Sequence, residues 1–157
     1  MKDIIQKFLD DKKVAMVGAS SNKDNFGRSL MMELRKKDYQ VFPVNPKYDE
    51  VQGVSCVSSV KDLPEDVQNI ILAVPASLTD EIIEQCIGTQ VKRVWMIRGV
   101  GKGAYTDRAH ALCRENNIEV VYGFCPMMFY GDGMHKFHFW LRKRFGKLPA
   151  EFQLGIN

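Results

Sequence analysis

Short apolar runs alternate along the chain with segments whose apolar residues recur at the spacing of one helix face. The runs predicted as strands lie at residues 14–17, 40–44, 69–74, 94–97 and 119–122. Helices are predicted near the N-terminus, around Leu30 and Leu34, after Thr79 as the capping residue, and from about residue 106 to 116. This alternation predicts an α/β fold, a doubly wound and mostly parallel five-stranded sheet with helices on both faces.

The connection from the second to the third strand has a different pattern. Pro43 lies within the second predicted strand. Because proline has no N–H to donate, that strand should end early or lie where the N–H is not needed. Residues 47–53 are typical of a turn, and residues 60–64 predict a short helical or irregular crossover.

The first predicted strand runs directly into a turn of small residues, Gly18, Ala19, Ser20 and Ser21. Small residues let the backbone turn sharply and let a ligand approach closely. In an α/β sheet this turn lies at the carboxyl ends of the strands, where nucleotides bind. The two serine hydroxyls and the free N–H groups of the following helix favour an anion. The sequence therefore predicts a site for a phosphate-bearing nucleotide.

Two features bear on whether this nucleotide is NAD. A dinucleotide fingerprint has the pattern G-x-G-x-x-G at the first turn and an acidic residue after the second strand. The first loop lacks those glycines, and the second strand ends at Asn45, followed by Pro46 and Lys47. An amide and an ammonium accept a phosphorylated ribose, which a carboxylate would repel, and Lys23 and Arg28 add cations for phosphate. The pattern favours coenzyme A (CoA), with NADP as the competitor.

Several of these motifs resemble one known family. They are residues 17–20, Arg28-Ser29, residues 39–46 and Ala73-Val74-Pro75, and the V-x-P-V-N-P run within residues 41–46 is the most specific of them. From about residue 12 to 126 the chain resembles the small stand-alone CoA-binding proteins. Their Rossmann-like fold is similar to the N-terminal domain of the succinyl-CoA synthetase α subunit. The resemblance implies CoA or an acyl-CoA as the ligand.

The resemblance also implies where the parts of the ligand lie. Around the pyrophosphate it places Gly18, Ala19, Ser20, Lys23, Arg28 and Ser29, next to Ser21. At the adenosine end it places Asn45, Pro46 and Lys47, directly after Val44. Ala73, Val74 and Pro75 would line the slot at the third strand. Arg98, in a glycine-rich loop, is a further candidate for facing the ligand, although similar proteins often carry a neutral amide at this place.

Composition limits the class of protein. A chain of 157 residues fits one domain, which we expect at residues 1–126, with residues 127–157 as a C-terminal extension. The chain has no apolar run near the roughly 18 residues of a membrane helix, and its N-terminus lacks the apolar core of a signal peptide. We therefore expect a cytoplasmic protein whose four cysteines, which have no C-x-x-C spacing, are free thiols.

The C-terminal extension carries the basic excess of the chain. Residues 134–157 hold five basic residues against Glu151, whereas the whole chain has a net charge of +3. This distribution argues against a nucleic-acid-binding body. His135 and His138 share a helix face, but they lie among aromatic residues without a third ligand, so we expect no metal. The aromatic residues predict a helix packed on the body or on a partner subunit.

The sequence contains no recognisable catalytic constellation. Cys125 follows the fifth strand, but no histidine lies near it in sequence to activate it, and a small buried residue is the simpler interpretation. We therefore expect a protein that binds CoA or acyl-CoA without catalysis of its own. Two alternatives stay open: a small NADP-dependent oxidoreductase, and an interaction module acting through its basic, aromatic C-terminal segment.

Overall fold

The computed structural model describes residues 1–98 and 103–130 together with Pro149 and Phe152. The helices of this part are α1 (Lys2–Asp10), α2 (Phe26–Arg35), α3 (Ala76–Cys86), α4 (Asp107–Glu115) and α5 (Met127–Tyr130). The strands are β1 (Lys13–Val17), β2 (Gln40–Val44), β3 (Glu50–Val51), β4 (Val54–Ser55), β5 (Asn69–Leu72), β6 (Arg93–Met96) and β7 (Glu119–Tyr122). A 3-10 turn spans Val60–Asp62.

Five strands form one parallel sheet in the order β2-β1-β5-β6-β7, and β3 and β4 form a separate antiparallel hairpin. From β1 the chain moves outward to β2 and then returns past β1 to β5. The direction of winding therefore reverses between β1 and β5. In open α/β sheets such a switch point leaves a crevice at the carboxyl ends of the strands.

Alternate side chains of the strands are buried in two separate cores. On one face, Val14 and Met16 of β1 share a core with buried residues of α1 and α2. On the other face, Ala15 and Val17 share a core with buried residues of α3 and α4. Since helices cover both faces, the predicted doubly wound sheet is confirmed.

The structure agrees in part with what the sequence predicted for β2 and the crossover from β2 to β5. Pro43 lies in β2, which is the edge strand of the sheet next to β1, so the prediction for Pro43 is confirmed. The predicted turn at residues 47–53 contains a hairpin. Its two loop residues, Gln52 and Gly53, have φ of 54° and 74°, the left-handed backbone that tight hairpins require. Strands of two residues carry too little alternation for the sequence pattern to indicate them.

The prediction that Thr79 caps α3 is wrong. The helix begins at Ala76 with Pro75 at its N-cap, and Thr79 is fully buried inside the helix. Proline has its φ restricted near −65° and cannot continue a strand ladder. The chain therefore enters the helix directly after Pro75, and Thr79 faces the core.

Part of the C-terminal segment packs on the α1 face of the sheet. Phe152 is 8% exposed, its ring centroid lies 4.9 Å from that of Phe124, and the Lys2 ammonium lies 5.3 Å above its ring. The predicted C-terminal helix, with His135 and His138, lies outside the described residues, so both expectations for it stay predictions. Within the described residues no helix has the length and apolar character needed to cross a bilayer.

Candidate functional site

A cavity of about 510 Å³ opens where β1, β2 and β5 end. We call it the switch-point cavity, because it lies between the turns that follow β1 and β5. Eight residues of the predicted site line it: Gly18, Val44, Asn45, Pro46, Lys47, Ala73, Val74 and Pro75. The tertiary structure thus brings together three separate stretches of the predicted site.

The rest of the cavity wall consists of residues that the sequence analysis missed. They are Val17, Asn25, Ser58, Ser59, Val60, Leu78, Glu81, Ile82 and Gln85. The α3 part of this wall has a signal in the sequence, because residues 78, 82 and 85 recur at helical spacing. Leu78, which is 47% exposed, adds apolar surface to this wall.

The turn after β1 passes very close to the end of β5. The N–H of Gly18 donates to the Val44 carbonyl of β2 over 3.1 Å. Gly18 has φ of 91°, and a Cβ added there would lie 2.5 Å from the Ala73 carbonyl oxygen. No residue with a side chain fits this position without moving the strand ends apart. Gly18 therefore sets the spacing of β1 and β5 at the cavity.

Gly27, in the first turn of α2, also permits a close approach between elements. The sequence analysis did not identify this residue. A Cβ at Gly27 would lie 3.1 Å from the Ala73 Cβ and 3.2 Å from the Ala19 nitrogen. The helix therefore approaches the turn and β5 more closely than a larger residue would allow. Asn25 before it is the N-cap, and its Oδ1 accepts from the Arg28 N–H over 2.7 Å.

The side-chain amide of Asn45 forms hydrogen bonds with two backbone groups of the protein. Its Nδ2 donates to the Ala19 carbonyl over 2.8 Å, and its Oδ1 accepts from the Lys47 N–H over 3.1 Å. The amide therefore ties the end of β2 to the turn after β1. The prediction that Asn45 lies at the adenosine end is not tested by these contacts, but they assign its side chain a structural task.

The other predicted residues near the β1 turn do not line the cavity. Ala19 is fully buried, whereas Ser21, Lys23 and Ser29 are exposed. The Ser21 hydroxyl donates to the Glu50 carbonyl and the Ser29 hydroxyl to the Asn25 carbonyl. Ser20 and Arg28 are half-buried. The buried Arg28 Nε has no hydrogen-bond partner among the described residues. The predicted contacts of this group with pyrophosphate stay predictions.

Arg98 lies away from the cavity wall. It is exposed, follows β6, and its backbone N–H donates to the Phe124 carbonyl over 3.2 Å. The following residues 99–102 lie outside the described part of the chain. Its proposed contact with a ligand therefore stays a prediction.

The cysteines are free, as predicted. Burial raises the pKa of the Cys125 thiol, and hydrogen bonds from the N–H groups of Met127 and Met128 lower it by less. Burial likewise raises the pKa values of Cys86 and Cys113 to about 12. These thiols are therefore protonated at neutral pH, which makes Cys125 a poor nucleophile.

An open parallel sheet, covered by helices on both faces and with a cavity at its switch point, is the architecture of the doubly wound α/β proteins. Comparison with known families shows to which family of such proteins the chain belongs. The family model of the CoA binding domain matches residues 12–131, and the chain belongs to this family. The resemblance noted in the sequence is confirmed.

Individual relatives agree with this assignment. The chain is 29% identical over 114 residues to an ADP-forming acetate–CoA ligase of Methanocaldococcus jannaschii, covering 70% of this chain but 16% of the ligase. It is 26% identical over 127 residues to the uncharacterized protein YneT of Bacillus subtilis, covering 80% of this chain and 87% of YneT. A solved hypothetical protein from Pyrococcus horikoshii OT3 is 35% identical, with a TM-score of 0.72 and coverage of 80% and 86%. The chain thus spans a small part of the ligase and most of the two small proteins.

Proposed function

We propose that the protein binds coenzyme A or an acyl-CoA at the switch-point cavity and catalyses no reaction of its own. The observation that carries this proposal is the position and make-up of the cavity. It lies at the switch point of a CoA-binding-family domain, and Gly18, Lys47 and Pro75 line it. Its volume of about 510 Å³ is within the range of small-molecule sites.

The chemistry of the wall suits the adenosine end of CoA. The flat faces of a purine ring pack well on apolar side chains. Six branched aliphatic side chains line the cavity: Val17, Val44, Val60, Val74, Leu78 and Ile82. Lys47 is the cation among the lining residues, so the 3′-phosphate would lie beside it. The pyrophosphate would then lie at the β1 turn, near Ser20, with the exposed Lys23 and the half-buried Arg28 around it.

The lining residues support binding rather than catalysis. Within the described part of the chain, Lys47 and Glu81 are the charged residues of the wall, and neither is paired with a nucleophile there. The Ser59 hydroxyl donates to the Gln85 Oε1 over 3.1 Å, and a neutral amide oxygen does not act as a general base. A ligase reaction would require residues other than those that line this cavity.

Addition of CoA should raise the melting temperature of the protein, whereas NAD should not. CoA at a hundred times its Kd adds about 2.7 kcal/mol of stability, which corresponds to a shift of roughly 5–10 °C for a chain of this size. NAD lacks the ribose phosphate that Lys47 would meet. The measurement is thermal denaturation with CoA, acetyl-CoA, NADP and NAD in parallel. Equal stabilisation by NAD and CoA would contradict the proposal, and preference for NADP would favour the reductase alternative.

Lys47→Ala should weaken CoA binding by about tenfold at low salt and leave dephospho-CoA nearly unaffected, because one charge-assisted contact is lost. Titration calorimetry with both nucleotides gives the ratio of affinities. Lys61→Ala is the matched control, since Lys61 is exposed on the 3-10 turn and does not line the cavity. Equal loss for both nucleotides in Lys47→Ala would show that the 3′-phosphate lies elsewhere.

A further inference from the structure

The face of α3 that lines the switch-point cavity carries two polar side chains among apolar ones. Leu78, Glu81, Ile82 and Gln85 recur at the spacing of one helix face and line the cavity. Glu81 and Gln85 are four residues apart, so their side chains are neighbours on consecutive turns of this face. The wall formed by α3 thus combines apolar surface with one carboxylate and one amide.

The Gln85 amide is held in one orientation by Ser59. The Ser59 Oγ accepts the Lys61 N–H over 3.2 Å at the start of the 3-10 turn, and its hydroxyl donates to the Gln85 Oε1 over 3.1 Å. Because the hydroxyl already accepts one N–H, its own proton is best used toward an acceptor, and the oxygen of the amide faces it. The Gln85 Nε2 therefore points away from Ser59, and it has no acceptor in the part of the chain that the structure describes.

Glu81 presents an acceptor beside this donor. The residue is exposed, and its carboxylate has no hydrogen bond or ion pair with any described residue. Glu84 of the same helix instead pairs with Arg108 of α4 and does not line the cavity. The cavity wall therefore offers a carboxylate acceptor and an amide donor side by side, both unused by the described residues.

Adenine carries the complementary pair of groups on one edge of its ring. Its 6-amino group is a donor and its ring nitrogen N1 is an acceptor, whereas hypoxanthine has a 6-oxo acceptor and an N1–H donor at the same places. A site with fixed hydrogen-bonding groups rejects a ligand that leaves them unpaired far more strongly than an apolar pocket rejects a ligand of slightly different size. The wall formed by α3 can therefore distinguish the two bases.

We infer that Glu81 and Gln85 are specificity-determining residues, which select adenine as the base of the bound nucleotide. Glu81 accepts from the 6-amino group and the Gln85 Nε2 donates to N1, while the aliphatic residues of the wall pack on the faces of the ring. Ser59 is a positioning residue, because it keeps the donor end of the Gln85 amide turned toward the base. This inference rests on the proposed function, which places the adenosine end in this cavity, and adds how the base is chosen.

Exchanging the base of the ligand tests this selection directly. Titration calorimetry compares adenosine 3′,5′-bisphosphate with inosine 3′,5′-bisphosphate, which share the ribose and both phosphates and differ only in the base. The unmodified protein should bind the adenosine compound at least about tenfold more tightly, since both contacts are reversed in the inosine compound. Equal affinities would overturn the inference, whereas CoA binding, measured in parallel, would still support the proposed function.

Glu81→Gln should bring the ratio of the two affinities close to one, because an amide can donate to the 6-oxo group and attracts the 6-amino group less than a carboxylate does. Glu84→Gln is the matched control, since it makes the same change of charge on the same helix at a residue that does not line the cavity. The control should keep the ratio of the unmodified protein. An unchanged ratio in Glu81→Gln, or an equal change in Glu84→Gln, would overturn the inference.

Ser59→Ala tests the positioning role. The variant frees the Gln85 amide to rotate, so the ratio should fall about threefold or more, the effect of one net hydrogen bond. General damage to the 3-10 turn would lower both affinities equally and leave the ratio unchanged, and this outcome would overturn the role of Ser59. Ser59→Thr keeps the hydroxyl and should restore the ratio. Failure of the unmodified protein to bind CoA would overturn the proposed function as well.

Discussion

Replacing Gly18 by valine is expected to abolish CoA binding and to lower the melting temperature by roughly 5–10 °C, because overpacking and backbone strain add up. The added Cβ would lie 2.5 Å from the Ala73 carbonyl oxygen and 2.7 Å from the Val74 Cγ1, so the ends of β1 and β5 must separate. That separation would displace both sides of the switch-point cavity. Scanning calorimetry and CoA titration of the variant measure the two effects.

Gly53→Val separates the clash at Gly18 from backbone strain alone. Gly53 has φ of 74°, and a Cβ there meets nothing within 4 Å. This control should lose about 1–2 kcal/mol from the unfavourable φ and bind CoA normally. Normal CoA affinity in Gly18→Val would place the ligand elsewhere in the molecule.

Phe152→Ala is expected to reduce the free energy of unfolding by about 3–5 kcal/mol, the usual cost of truncating a buried phenylalanine. Phe152 is 8% exposed and packs against Phe124, and the Lys2 ammonium lies over its ring. The loss is measured by urea denaturation. Truncation after Gly133 removes Phe152 with most of the C-terminal segment and should cost at least as much.

Phe26→Ala is the control for the loss of an aromatic ring at the surface. Phe26 is 44% exposed and buries less apolar area than Phe152, so its removal should cost less of the free energy of unfolding than Phe152→Ala does. Light scattering tells whether the C-terminal segment covers its own chain or a partner. An unchanged mass in Phe152→Ala supports packing on the same chain, and a smaller mass supports a subunit interface. Full stability in Phe152→Ala would contradict the packing at Phe124.

The sequence was informative about the candidate site wherever the relevant physics is local. Gly18 directly follows a buried strand, and Lys47 follows the next one, so both are at the carboxyl edge in any parallel sheet. Asn45 was found for the same reason. Its amide, however, contacts the Ala19 carbonyl, and a hydrogen bond between residues so distant in sequence leaves no trace in local pattern. The prediction for Thr79 shows where local reasoning fails. Threonine is a favourable capping residue, but α3 begins earlier, directly after Pro75, so Thr79 lies inside the helix.

By itself, the sequence determined the alternating strands and helices, the doubly wound sheet and the glycine turn, because apolar periodicity and turn chemistry act over a few residues. Only the tertiary structure decided the strand order that creates the switch point, and with it the wall of the cavity formed by α3. It also decided the close approach of Gly27 to Ala73 and the contact of the Asn45 amide with the turn after β1. These features depend on how distant segments pack, and packing is settled by the whole core at once.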